Sequence, residues 1–208
     1  MTILSQLLQH KIIAIIRGAE PNDVLPVAHA LFEGGIRAIE ITLNSPDALQ
    51  LINTVSKILK EKMLVGAGTV LDASSALEAI EAGAQFIISP SVDVETIQLT
   101  KQNGIVSIPG AFTATEIVTA YKAGADLIKV FPASNPQYIK DLMGPLSHIP
   151  MMPTGGVNLE NIRDFKNNGA VAFGIGSSLV NTKQPITETY LKQLTIKAEQ
   201  FVQAISNQ

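Results

Sequence analysis

Cysteine and tryptophan are absent from the 208 residues, and aromatic side chains make up only 5% of them. Without cysteine there is no disulfide framework, no thiol nucleophile and no thiolate zinc site, which fits a reducing, cytoplasmic setting. Charge is also sparse, at 16% of residues, and 15 Lys plus Arg stand against 18 Asp plus Glu for a net charge of −3. Nothing in that balance suggests a surface for nucleic acid or another polyanion. Long apolar runs are missing as well. The longest charge-free stretch, Leu142 to Leu159, is cut by Pro145, Pro150, Pro153 and three glycines, so it cannot span a bilayer as a helix. The opening segment Met1 to Lys11 carries Gln6, Gln9 and His10 within its apolar pattern; it lacks a signal-peptide core and reads as a short amphipathic helix. His10, His29 and His148 share no metal-site spacing with acidic residues, so no metal is expected.

What is present is 46% hydrophobic residues with 15 glycines and 11 prolines spread along the chain. A chain of this length buries roughly 70% of its unfolded surface. Low-complexity segments and Ser/Gly linkers are absent, so residues 1–208 are expected to form a single domain. One phrase recurs: a helical pattern ends in glycine, and a short apolar run follows within a few residues. The glycines fall at Gly35, Gly83, Gly104, Gly124 and Gly169, separated by 48, 21, 20 and 45 positions. Two of these gaps are single units and two are double. Strands Met63 to Thr69 and Met151 to Thr154 fill the double gaps, and Ile12 to Arg17 precedes them all.

The strand set is completed by Ala38 to Thr42, Phe86 to Ser89, Ile105 to Ile108, Leu127 to Phe131 and Val171 to Ile175, giving eight. Helical patterns alternate with them at Pro21 to Glu33, Pro46 to Lys60, Ala73 to Glu81, Val94 to Gln102, Ala114 to Lys122, Asn158 to Lys166 and Thr187 to Ser206. Continuously apolar strands alternating with helices imply parallel pairing, and eight such units predict an α/β fold of the (β/α)8 TIM-barrel type. A doubly wound open sheet is disfavoured because Gly66-Ala67-Gly68 lacks the third glycine and the first-unit position of a dinucleotide fingerprint.

In such barrels chemistry gathers at the carboxyl ends of the strands, so polar residues within apolar strands stand out. Lys129 in Leu127-Ile128-Lys129-Val130-Phe131 is one, and a desolvated lysine is the usual source of an amine nucleophile at neutral pH. Glu40 in Ile39-Glu40-Ile41-Thr42-Leu43 is its natural partner, as a proton shuttle or as half of a structural ion pair. Arg17 ends the first strand, where its guanidinium can hold a carboxylate or phosphate or simply cap the strand. Thr154-Gly155-Gly156 and Gly174-Ile175-Gly176-Ser177 close the last two strands with the backbone amides of a phosphate site.

These residues sit within longer phrases: Ala14-Ile15-Ile16-Arg17, Glu40 to Pro46, Gly66-Ala67-Gly68-Thr69-Val70, Ile88-Ser89-Pro90, Ile108-Pro109-Gly110, Ile128 to Ala133 and Pro153 to Val157. In that order and over nearly the whole chain they resemble the 2-keto-3-deoxy-6-phosphogluconate (KDPG) and 4-hydroxy-2-oxoglutarate (KHG) aldolase family. The resemblance implies a lyase that works through a lysine imine without a metal or other cofactor. It places Lys129 on the imine-forming lysine and Glu40 on the proton-transfer residue. Arg17 and Thr69 match positions that hold the pyruvate carboxylate, Pro90, Phe131 and Thr154 match pocket walls, and Gly155, Gly156, Gly176 and Ser177 match the phosphate site. The expected partners are a 2-keto acid and a phosphorylated aldehyde, with neither nucleic acid nor membrane, and the resemblance implies a homotrimer. Asn44-Ser45-Pro46 points to the phosphogalactonate branch, while Thr154 before its two glycines points to the phosphogluconate branch, so both C4 configurations stay open. A phosphosugar-binding barrel without turnover is the remaining alternative.

Overall fold

The computed structural model describes residues 1–60, 62–133 and 135–206. Strands and helices alternate. A leading helix α1 (Ile3–His10) precedes β1 (Ile12–Ile16), α2 (Pro21–Glu33), β2 (Ala38–Thr42), α3 (Ala48–Ile58), β3 (Leu64–Gly68), α4 (Ala73–Glu81) and β4 (Phe86–Ile88). Then come α5 (Val94–Gln102), β5 (Val106–Ile108), β6 (Gly110–Ala111), α6 (Ala114–Lys122), β7 (Ile128–Val130), α7 (Pro136–Leu146), β8 (Met151–Pro153), α8 (Ile162–Asn167), β9 (Phe173–Ile175) and α9 (Glu188–Ile205).

All pairings are parallel, as the apolar strands predict, but they form two sheets rather than one ladder. Six strands run in the order β5-β4-β3-β2-β1-β9, and three in the order β6-β7-β8. The expected fifth strand, Ile105 to Ile108, is β5, and Pro109, which has no N–H to give the ladder, sets off β6 beyond it as an additional short strand. Hydrogen bonds still cross there, since Asp126 donates to the Ser107 carbonyl and Lys129 to the Pro109 carbonyl at 3.0 and 2.9 Å. At the other junction a single bridge pairs Thr154 with Gly174.

The recurring glycines behave as their spacing predicts. Gly35, Gly83, Gly104, Gly124 and Gly169 all have φ between 71 and 104°. In each case the next residue donates to a carbonyl five positions back, as Ile36 does to Leu31 and Ala170 to Phe165. This left-handed closure satisfies the last carbonyls of a helix and turns the chain directly into the next strand. The N-termini carry their own locks. Asp72, Asp93 and Thr187 each accept an amide hydrogen bond at Ncap, and Thr113 with Glu116 forms a reciprocal capping box.

Two helices begin later than their patterns. Asp47 adopts φ 52° before α3, and the Asn158 side chain accepts from the amides of Glu160 and Asn161, making a turn where helix is expected. Helix α7, not named in the sequence reading, starts at Pro136 behind an Asn135 cap.

Alternation along the strands sorts side chains between two cores. Ile12, Ala14, Ile16, Ile39, Ile41, Val65, Ala67, Ile128 and Val130 pack with the helices. Ile13, Ala38, Leu64, Phe86, Val106, Leu127, Met152 and Ala172 converge from both sheets into an inner core, which Leu7 of α1 closes. Any side chain two residues onward from this inner set therefore points into the space above it.

Candidate active site

Glu40 and Lys129 are two residues onward from Ala38 and Leu127, and each is flanked by residues that face the helices. Both are buried, at 1% and 2% exposure, where a polar group normally requires a partner. The two are coupled by charge, without a direct ion pair between them among the described residues. Neither carboxylate oxygen of Glu40 has a hydrogen-bond partner among the described residues. Burial raises the Glu40 carboxyl above its ordinary range, against the downward pull of Lys129 and then Arg17. Burial lowers the Lys129 ammonium, Glu40 pulls it back up, and Arg17 lowers it further. The outcome is an amine that gives up its proton more readily than a solvated lysine, beside a carboxyl that holds one more readily.

Space for this pair comes from missing side chains. A Cβ on Gly68 would fall 1.6 Å from Glu40 Oε1, and one on Gly174 would fall 2.2 Å from Thr154 Oγ1. Above Lys129 opens a cavity of about 720 Å³, lined among others by Ile15, Arg17, Phe131, Thr154, Gly155 and Gly156. Gly176 and Ser177 complete its far wall. The Lys129 Nζ lies 5.1 Å from the centre of the Phe131 ring, whose edge also packs beside Gly155. Thr154 Oγ1 is buried and has no hydrogen-bond partner among the described residues. The amides of Gly156, Ser177 and Ser178 donate no hydrogen bond among the described residues, so they are available to an anion.

Eight sequence-identified residues thus meet in one cavity: Arg17, Lys129, Phe131, Thr154, Gly155, Gly156, Gly176 and Ser177. Glu40 lies beside Lys129 rather than on the cavity wall, and Thr69 and Pro90 are not wall residues either. Thr69 holds φ 57° at the carboxyl end of β3. A β-branched residue in that region costs on the order of 1–3 kcal/mol, and such strain is concentrated at functional sites. The Pro90 carbonyl packs against Gly110, where a Cβ would approach it to 2.3 Å.

Three comparisons bear on this geometry. The family model for KDPG and KHG aldolase matches residues 3–195. The chain belongs to that family. It is an aldolase, and so a carbon–carbon lyase. Among relatives, it is 38% identical over 181 residues to 2-dehydro-3-deoxy-6-phosphogalactonate aldolase of Escherichia coli K12, covering 86% of this chain and 88% of the other. It is 36% identical over 158 residues to 2-dehydro-3-deoxy-phosphogluconate aldolase of Pseudomonas aeruginosa PAO1, covering 74% and 71%. Its fold superposes with TM-score 0.85 and 28% identity on the KDPG aldolase of Legionella pneumophila, covering 95% and 97% of the two chains. That crystal structure holds pyruvate captured as a covalent carbinolamine.

Several residues of this aldolase site escape the sequence reading. The Ser45 hydroxyl accepts from the Gly18 amide at 2.8 Å and shares a hydrogen bond with Thr42 at 3.0 Å. Thr182 donates to the Arg17 carbonyl at 2.6 Å. Together they fix the backbone on both sides of the Arg17 side chain. Asn158, Ser178, Asn181, Thr182 and Lys183 also line the cavity. All lie in loops that follow β8 and β9, and that position was their one available signal.

The charge couplings give a pH prediction with opposite signs. Arg17→Met removes a positive neighbour, so Lys129 titrates higher and the acid limb of imine formation with pyruvate moves to higher pH. Glu40→Gln removes the group that holds Lys129 up, so the limb moves to lower pH. The midpoint of the borohydride-trapping rate against pH measures both, and movement in the same direction by both variants would refute the coupling.

Proposed function

We propose that the protein is a class I aldolase that cleaves KDPG to pyruvate and glyceraldehyde 3-phosphate, and that also cleaves 4-hydroxy-2-oxoglutarate to pyruvate and glyoxylate. The observation that carries this reading is a buried Lys129 that lines a cavity with two glycine loops and is charge-coupled to the buried Glu40.

In this reading deprotonated Lys129 Nζ adds to the C2 ketone, and Glu40 delivers the proton that lets water leave the carbinolamine. The resulting iminium is the electron sink, so the chemistry asks for no metal. When the C3–C4 bond breaks, its electron pair moves into the iminium to give an enamine, and the C4 hydroxyl proton passes to Glu40 as the aldehyde departs. Glu40 then returns the proton to C3, and water hydrolyses the iminium to pyruvate and free Lys129. Arg17 holds the carboxylate at C1 with Thr69 at the end of β3, Phe131 forms the wall while Pro90 shapes the pocket from outside its lining, and Gly155, Gly156, Gly176 and Ser177 take the phosphate.

Thr154 supports the gluconate configuration, because its buried hydroxyl lines the cavity with no protein partner and suits the substrate C4 hydroxyl. The alternative is the phosphogalactonate substrate, favoured by Asn44-Ser45-Pro46 and by the phosphogalactonate-aldolase relative. Borohydride reduction with pyruvate, followed by peptide mapping, is expected to place the adduct on Lys129. Comparing kcat/KM on the two phosphorylated epimers is expected to favour the gluconate. An unlabelled Lys129 sinks the imine reading, and a galactonate preference sinks only the C4 assignment.

We further read the two sheets as one (β/α)8 barrel, supported by the hydrogen bonds across Pro109 and the Thr154 to Gly174 bridge. Residues 1–208 are taken as one domain. A cytoplasmic homotrimer is proposed from the family; Leu71 and Phe112, 62% and 47% exposed, offer apolar surface for subunit contact.

A further inference from the structure

Among the described residues, the cavity above Lys129 is lined by three cationic side chains, Arg17, Lys129 and Lys183, and by no carboxylate. Two of the three already have work in the proposed reaction: Lys129 becomes the iminium, and Arg17 holds the C1 carboxylate. A phosphorylated substrate brings a second, dianionic group, and the glycine loops meet it only with backbone amides and hydroxyls. Such a nest orients an anion but carries no full charge.

Lys183 stands at the end of that nest on an anchored segment. The Asn181 amide donates to the buried Tyr190 hydroxyl at 2.9 Å, and the Lys183 amide donates to Asn181 Oδ1 at 3.1 Å. Thr182 between them is tied to the Arg17 carbonyl, and Ser178 to the Val157 carbonyl at 2.6 Å. These bonds fix the backbone on which the ammonium rides, in the wall of the same cavity that Gly176 and Ser177 line. The Lys183 side chain itself is exposed and makes no ion pair among the described residues.

We propose that Lys183 is a specificity-determining residue, the cation that pairs with the substrate's terminal phosphate and sets the preference for phosphorylated over unphosphorylated 2-keto acids. This rests on the reading of the glycine loops as a phosphate site. Because the ammonium is solvated, its pairing is of the screened kind, which diminishes as salt rises.

The test is the ratio of kcat/KM on KDPG to kcat/KM on 4-hydroxy-2-oxoglutarate, measured for the wild type, Lys183→Met and Lys183→Arg at low and high salt. Lys183→Met is expected to lower the ratio by about 3- to 10-fold, the scale of one charge-assisted contact at a partly exposed site. The loss should fall on KM for KDPG rather than on kcat, shrink at high salt, and be restored by Lys183→Arg. A wild type that prefers neither phosphorylated epimer over 4-hydroxy-2-oxoglutarate would overturn the phosphate-site reading and this proposal with it, and one that prefers the galactonate epimer is tested by the same ratio on that epimer. A wild type that prefers KDPG, with a Lys183→Met variant that keeps the full ratio or loses both activities equally, would overturn the assignment of Lys183 alone.

Discussion

Lys129→Met removes aldolase activity, with kcat falling by roughly 10⁴-fold or more, the scale on which loss of a covalent nucleophile is felt. The same variant gives no adduct with pyruvate and borohydride. Methionine is one atom shorter than lysine, fills most of its space and removes a cation from a site that is 2% exposed, so relief of desolvation outweighs the small space left. Glu40 loses the positive neighbour that lowers its carboxyl, so its pKa rises further and it holds a proton more readily. The fold is therefore retained, with thermal unfolding at or above that of the wild type. Lys129→Arg is equally inactive, because a guanidinium does not give up its proton to become a nucleophile. Activity within tenfold of the wild type in either variant would end the imine mechanism.

Gly68→Ala reduces kcat by about 10²- to 10⁴-fold, the range spanned by removal of a general acid–base group. The added methyl would occupy the place of the Glu40 carboxylate, with Oε1, Cδ and Cγ all within 2.4 Å of it. Gly68 does not have the left-handed backbone that would exclude alanine, so the main chain can accept the residue. The side chain of Glu40 must swing away, and Lys129 loses its neighbour. Glu40→Gln should match the loss, and the double variant should be little worse than either single one, since both remove the same interaction. Independent, multiplying effects in the double variant would show that Gly68 acts through something other than Glu40. A circular-dichroism spectrum and a cooperative melt like those of the wild type separate this from misfolding.

Legibility differs between elements for physical reasons. Strand positions follow from continuous apolar runs after a helix-ending glycine, because a buried parallel strand and a left-handed closure both impose residue type locally. The extra strand β6 beyond Pro109 and the late start of α8 depend on a missing donor and on the Asn158 side chain competing for amides. Such local competition is visible only once the hydrogen bonds are counted. Helix α7 has Gly144 and Pro145 near its end, which obscure it in sequence although its apolar face, Ile139, Leu142 and Leu146, repeats at helical spacing.

The site divides in the same way. Lys129 and Glu40 stand out in sequence because a charge within an apolar strand is costly unless it is used. Ser45, Thr182 and Lys183 do not stand out, because polar residues in loops are the common case. What distinguishes them is a hydrogen bond to Gly18, one to Arg17 across 165 residues of chain, and a place on the cavity wall.

The sequence by itself determined the parallel α/β plan and the family, and singled out the buried charges Lys129 and Glu40, since each is written in residue types whose local cost or periodicity admits few alternatives. Tertiary structure alone decided that Gly68 makes room for Glu40, that Arg17 tunes Lys129, and that Lys183 joins the last two loops at the cavity. Those relations are distances between strands and loops far apart in the chain, and only the closing of the sheets over the inner core sets them.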